Sequence, residues 1–166
     1  RLRQACRPGE VRLMKIIDGT ERLAEIKELI IEYTDSLHMD LGFQHLSEEL
    51  DHLDTHYVYP YGRLLAAVCE DGTLVGCVAY HRRDGRSCEM KRLYVRPAWR
   101  HRGAGQKLVA AIMEQARADG YREMVLDSFT DTMQSAIRMY EAAGFHETDA
   151  YYDNPMPNVI YMKCEL

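Results

Sequence analysis

The sequence predicts a mixed α/β fold, a central sheet covered by helices on both faces, and three observations lead there. The pairs Asp71-Gly72 and Asp84-Gly85 punctuate three apolar runs in quick succession, which predicts an antiparallel meander. After Gly105, the residues Leu108, Val109, Ile112, Met113 and Ala116 recur with helical spacing. The remainder alternates strand, helix and strand, a pattern that a sheet covered on both faces accommodates.

Residues 11–17 contain β-branched and apolar residues and predict the first strand, and Asp18 with Glu21 three positions on resembles a capping box. Leu23, Ile26, Ile30, Tyr33 and Leu37 then share one face of a helix. A second helix is expected over 44–55, followed by an aromatic turn through Tyr57, Tyr59 and Tyr61. Strands at 64–69, 74–81 and 88–95 form the meander, and the helix after Gly105 ends where Gly120 can cap it. A strand at 123–127 leads to a helix that Asp131 and Gln134 could cap, which carries Ala136, Ile137, Tyr140 and Ala143 and stops at Gly144. Strands at 145–151 and 159–164 close the chain.

A chain of 166 residues suits one domain, expected here over residues 10–166 behind a short flexible segment, 1–9. No apolar run approaches the roughly 18 residues a bilayer demands, and the first dozen residues lack the apolar centre of a signal peptide, so no membrane association is expected. A net charge of −5 argues against nucleic acid as a partner. The cysteines, Cys6, Cys69, Cys77, Cys88 and Cys164, contain no C-x-x-C pair, and three lie in strand-like runs. Free buried thiols in a cytoplasmic protein are the expectation.

Between Met90 and Met113 there is no acidic residue, while Lys91, Arg92, Arg96, Arg100, Arg102 and Lys107 are cationic. Within this stretch R-H-R-G-A-G, residues 100–105, joins a strand to a helix start. Unpaired amides and the positive end of the dipole make such a start an anion site, and glycine lets a phosphate approach the backbone closely. Alone, the loop is equally a solvated basic turn. Leu108 occupies the third position of a G-x-G-x-x-G dinucleotide fingerprint, and the G-K-[S/T] of a Walker loop is absent.

Two motifs widen the match. Arg100, Gly103 and Gly105 fit Q/R-x-x-G-x-G/A behind the strand E-M-K-R-L-Y-V, and Ala136, Tyr140, Gly144 and Phe145 fit A-x-x-x-Y-x-x-x-G-F. On these residues the chain resembles the GNAT superfamily of N-acetyltransferases from Val11 to Leu166, most strongly from Glu89 to Phe145. The stretch Y-Y-D-N-P-M-P-N-V-I-Y-M is similar to that of small bacterial members and implies a bacterial source. The resemblance implies the GNAT fold: a mostly antiparallel sheet of six or seven strands in which the parallel strands ending at Val95 and Asp127 splay apart around acetyl-CoA. Leu93, Tyr94 and Val95 would then hold its acetyl and pantetheine portions. The amides of Arg100, His101, Arg102, Gly103, Ala104, Gly105 and Gln106 would hold its pyrophosphate. Met133 stands where many members carry a CoA-contacting Asn.

Amine acetylation requires a deprotonated amine, a polarised carbonyl and a protonated leaving thiolate. Glu89, six residues before Val95, is the candidate base, acting directly or through water; otherwise it is a strand glutamate in a cross-strand ion pair. Tyr140 is the candidate acid, or else a tyrosine packed on the core, and the Leu93 N–H is the candidate oxyanion donor. Tyr33, Tyr57 and Tyr152, with Tyr59, Tyr61 and Tyr151, could line an amine pocket. His38, His45, His52 and His56 cluster in the second helical region without an H-E-x-x-H pattern, and no metal is expected. The leading expectation is N-acetylation of a primary amine, on a small molecule or an amino acid, through a ternary complex. A protein N-terminal or lysine acetyltransferase and a non-catalytic acyl-CoA sensor are the alternatives. Homodimers are common in the family.

Overall fold

Alternation along the strands builds the sheet. The computed structural model describes residues 14–38 and 45–166. Strands β1 (Lys15–Asp18), β2 (Gly62–Val68), β3 (Leu74–Arg82), β4 (Ser87–Val95), β5 (Glu123–Phe129), β6 (His146–Thr148) and β7 (Val159–Glu165) form one seven-stranded sheet in the order β1-β2-β3-β4-β5-β7-β6. Every neighbouring pair is antiparallel except β4 and β5.

Helices α1 (Leu23–Leu37), α2 (Leu46–Asp51) and α3 (Leu53–His56) serve one face, and α4 (Ala104–Ala118) and α5 (Gln134–Ala142) the other. On the first face Ile26, Leu29, Ile30 and Leu53 meet Leu64, Ala66, Cys77 and Ala79. On the second, Leu108, Ile112, Ile137 and Tyr140 meet Val75, Val78, Met90, Met124 and Leu126. Each strand of the meander sends alternate side chains to the two cores. The far end of α4 is tied to β2 by Arg63, whose guanidinium donates two bonds to Asp119, at 2.7 and 2.8 Å.

Two irregularities shape the site. β4 and β5 are in register only from Ser87↔Glu123 to Glu89↔Val125, whereas β5 pairs with β7 along its whole length. Beyond Glu89 and Val125 the parallel strands therefore diverge and leave a cleft. Within β4, Lys91 lies opposite Ala79 and Tyr94 opposite Cys77, so Arg92 and Leu93 together face Val78. This β-bulge puts Arg92 in the left-handed region, at φ 57°. It also turns Arg92 toward α2 while Leu93 packs on the α4 side.

Some expectations need correction. Residues 11–13 of the first expected strand, residue 44 of the second helix, Cys6 and the segment 1–9 lie outside the described residues. The helix expected over 44–55 breaks at His52 (φ −130°) into α2 and α3. The strand expected over 145–151 is only β6, because the chain after Thr148 turns to carry Tyr151, Tyr152 and Asn154 over β5. Asp131 does not cap α5; it accepts a bond from Asn158 at 3.2 Å, and Met133 holds the cap position without a side-chain bond. Asp18 does cap, accepting from the Thr20 N–H at 2.9 Å, but it opens a 3₁₀ turn ahead of α1. Among the described residues Cys69, Cys77, Cys88 and Cys164 form no disulfide, and all four are buried. Among the described residues no helix is long and apolar enough to cross a membrane.

Candidate active site

The cleft between β4 and β5 is lined by Tyr33 and Leu37 from α1, Lys91 to Leu93 from β4, Asp127 to Phe129 from β5, and Met133 and Tyr140 beside α5. The first turn of α4 adjoins the end of β4, where a Cβ on Gly105 would stand 4.0 Å from Val95 Cγ2. Residues 97–103 turn the chain out of β4, and Gly103 occupies the N-cap of α4 at φ 90°, with no side-chain cap. A residue bearing a Cβ is strained at that φ. The first-turn amides of α4, at Ala104, Gly105 and Gln106, thus stay open to an anion on a helix of 15 residues.

The two motif glycines do different work. A Cβ on Gly103 would meet nothing within 4 Å, so its φ is the requirement there. On Gly105 a Cβ would stand 3.0 Å from Met139 Sδ, so the missing side chain lets α5 close against α4. Arg100 folds back on the strand it follows, donating from Nε to the Val95 carbonyl at 2.8 Å with its guanidinium over the Tyr94 ring at 5.4 Å. It thereby fixes the turn. His101, at φ 58°, Arg102 and Gln106 are exposed around the loop.

Tyr94 is buried, with its ring against Tyr33 at 5.0 Å on the α1 side of the sheet, so only its main chain can serve a cofactor in the cleft. Val95 packs on the α4 side, and Leu93 lines the cleft. Met133 spans the cleft floor, its sulfur accepting from the Ser128 hydroxyl at 3.5 Å and from Tyr33 at 4.0 Å.

Glu89 sits at the closed end of the V, opposite His81 on β3 and Val125 on β5. Among the described residues no ion pair engages it; Tyr151 donates to its Oε1 at 2.7 Å. Burial raises its carboxyl above the usual range, against the opposing pull of Lys91 and the Tyr151 hydroxyl, and the nearby Asp127 adds to the rise. Such a carboxyl is a better base than an exposed one. Tyr140 packs edge-on to Phe145, at 5.9 Å between ring centroids, and lines the cleft. Burial, with Tyr33 and Asp127 nearby, pushes its hydroxyl up, so it carries its proton at neutral pH.

The remaining aromatic candidates separate. Tyr33 lines the cleft, and burial pushes its hydroxyl up to about 12. Tyr152 donates to Asp127 from the β6–β7 loop. Tyr57 is a correction: it is fully buried in the α1 core and donates to Glu49 Oε1 at 2.7 Å, so it lines no amine pocket. Tyr59 and Tyr61 are exposed on the surface. His56 stacks on His81 at 4.3 Å, burial lowers both imidazoles, and no cluster suited to a metal occurs among the described residues.

Two features escaped the sequence reading. The bulge residue Arg92 makes a bidentate, buried pair with Glu49 of α2, at 2.7 and 2.9 Å. Burial alone would raise the Glu49 carboxyl, but Arg92 and Tyr57 outweigh it and hold it below the usual range. The pair joins residues 43 apart in sequence, beyond any local pattern. The second feature is Asp127, which had served only to mark the end of a strand. A carboxylate inside a strand that reads E-M-V-L-D-S-F was the available signal.

Residues 23–145 match the Acetyltransferase (GNAT) family. An uncharacterised N-acetyltransferase of Schizosaccharomyces pombe is 45% identical over 145 residues, 87% of this chain and 88% of that one, so the likeness is not confined to bacteria. An acetyltransferase of Streptococcus agalactiae shares the fold with a TM-score of 0.74 at 22% identity, over 93% of this chain and 99% of its own. An N-acetyltransferase of Thermoplasma acidophilum, solved in complex with coenzyme A, does so with a TM-score of 0.69 at 18% identity, over 92% and 99%. With everything from the start of α1 to the end of α5 inside the family match, the chain belongs to the GNAT family of acetyltransferases.

Proposed function

We propose that this protein transfers the acetyl group of acetyl-CoA to a primary amine on a small molecule or amino acid, by direct attack within a ternary complex. The observation that carries the reading is the splayed β4–β5 pair opening beside the uncapped start of α4, with a buried carboxyl and a buried phenol near the divergence. The amides of residues 100–106 hold the pyrophosphate, and the main chain of Leu93 to Val95 runs beside the pantetheine. Coenzyme A in the Thermoplasma relative is consistent with that use.

In this reading Glu89 takes the proton of the acceptor ammonium, directly or through a water. The free amine then attacks the thioester carbonyl, whose developing oxyanion meets the Leu93 N–H. Collapse expels the thiolate, which Tyr140 protonates, and the second proton of the attacking nitrogen then passes to the Tyr140 phenolate, leaving the neutral amide, free CoA and a restored phenol. Thiol release from acetyl-CoA, followed over a panel of amines, amino acids and peptides, tests the proposal. Amine-dependent release of free CoA supports it, and CoA binding without release from any acceptor makes the chain a sensor.

A further inference from the structure

Asp127 is two residues beyond the last β4–β5 register pair, so it stands on the strand edge where the cleft opens, and it lines that cleft. Glu89, by contrast, does not line it. Asp127 is held in one orientation: Tyr152 donates to its Oδ2, and Asn154 Nδ2 donates to the same oxygen at 2.8 Å. Tyr161, its register partner on β7, supports the loop that brings these donors, giving its hydroxyl proton to the Tyr152 carbonyl at 2.7 Å and accepting from the Asn154 N–H at 3.2 Å. Both donors are neutral and both end on Oδ2, and among the described residues no hydrogen bond ends on Oδ1.

Two of the neighbouring cations are engaged elsewhere: Arg92 is paired with Glu49, and Arg83 lies over the Tyr151 ring at 4.6 Å. Lys91 lines the same cleft. Among the described residues no ion pair engages Asp127. Its charge is nonetheless central, since it adds to the rise that burial imposes on the hydroxyls of Tyr33, Tyr140, Tyr151 and Tyr152. A fixed carboxylate that no ion pair engages among the described residues, in a cleft that also presents the rings of Tyr33 and Tyr140, is suited to a cationic ligand.

We infer that Asp127 is the acceptor-binding carboxylate of this site, and that the acceptor docks there in its charged form, as a primary alkylammonium, before it loses its proton. This rests on the amine-acetylation reading and adds the contact that holds the charged acceptor. Asp127 receives the ammonium through Oδ1, and Glu89, at the closed end, takes the proton. A cation that cannot be acetylated should therefore occupy the same place.

The test uses the whole protein saturated with CoA and two probes, butylammonium and butyltrimethylammonium, titrated by calorimetry, with 1-butanol as the neutral control. The parent protein is expected to bind both cations and to ignore the alcohol. Asp127→Asn keeps an acceptor oxygen for Tyr152 and Asn154 and should weaken both cations by about tenfold or more. Its CoA affinity and circular dichroism should match the parent's, which separates loss of the contact from loss of the fold. In turnover with an accepted amine the same substitution should raise KM far more than it lowers kcat. Equal cation affinity in parent and variant overturns the inference, as does binding of butanol as tight as that of the cations. Failure of the acetylation reading shows differently, as a parent protein that releases no thiol with any amine.

Discussion

Glu89 and Tyr140, the proposed base and acid, have different surroundings that make separate demands. Glu89→Gln retains an oxygen for Tyr151 but removes the base, so kcat should fall roughly a hundredfold or more. In the parent the acid limb of kcat/KM should lie above pH 4.5, because burial raises the carboxyl. The same shift has a consequence for stability. A folded-state pKa above the unfolded one means that the folded protein binds the proton more tightly. The stabilisation is then complete below the unfolded pKa and is lost as pH rises through the folded one. Glu89→Gln should accordingly be more stable than the parent at pH 7, with the gap closing below about pH 4.5 in urea titrations. A variant less stable at pH 7 would contradict this. Tyr140→Phe keeps the ring against Phe145, and should lower turnover by about a hundredfold while CoA affinity stays unchanged. Turnover within a factor of about two of the parent would exclude the acid role.

At the scale of elements, the β4 bulge decides which groups enter the cleft, and a buried ion pair holds it. Removing one partner of such a pair strands the other charge. Arg92→Met should therefore cost about 3–5 kcal/mol in unfolding free energy, while replacing Glu49 and Arg92 together by Met should recover most of that loss. A single-variant loss below about 1 kcal/mol would mean that water reaches Glu49 and that the pair does not hold the bulge. This element was not legible in the sequence. A left-handed arginine carries no glycine to announce it, and its partner lies on a helix whose weak periodicity gave no register. The β3–β4 hairpin and α4 were legible because their determinants are local. Asp84 accepts from the Arg86 and Ser87 amides, both at 2.7 Å, to close the turn, and α4 buries Leu108, Val109, Ile112 and Met113 at consecutive helical positions. The loop after β6 failed as a strand because its polar side chains are drawn to Asp127 rather than to a ladder.

For the whole molecule, seven strands with one splayed parallel pair follow from patterns that the chain displays openly: two turn pairs, one strong amphipathic helix and two motifs. The donor side of the site shared that legibility, since a glycine at the head of a helix is a local signal. Across the cleft, Glu89, Tyr151 and Tyr152 were legible one by one, but their convergence with Asp127 and Asn154 from β4, β5 and a distant loop was not. Tyr57 was misread for the same reason, its hydroxyl being claimed by Glu49 inside the core. The central claim is that the uncapped start of α4 and the splayed strands form one site for acetyl-CoA and an amine. Its most direct test is acetyl-CoA-dependent thiol release over the amine panel, run on the parent and on Gly103→Glu. Amine-dependent release is expected from the parent and none from the variant, which sets bulk and negative charge in the proposed pyrophosphate loop. Unchanged release by Gly103→Glu, or no release by the parent with any amine, would contradict it.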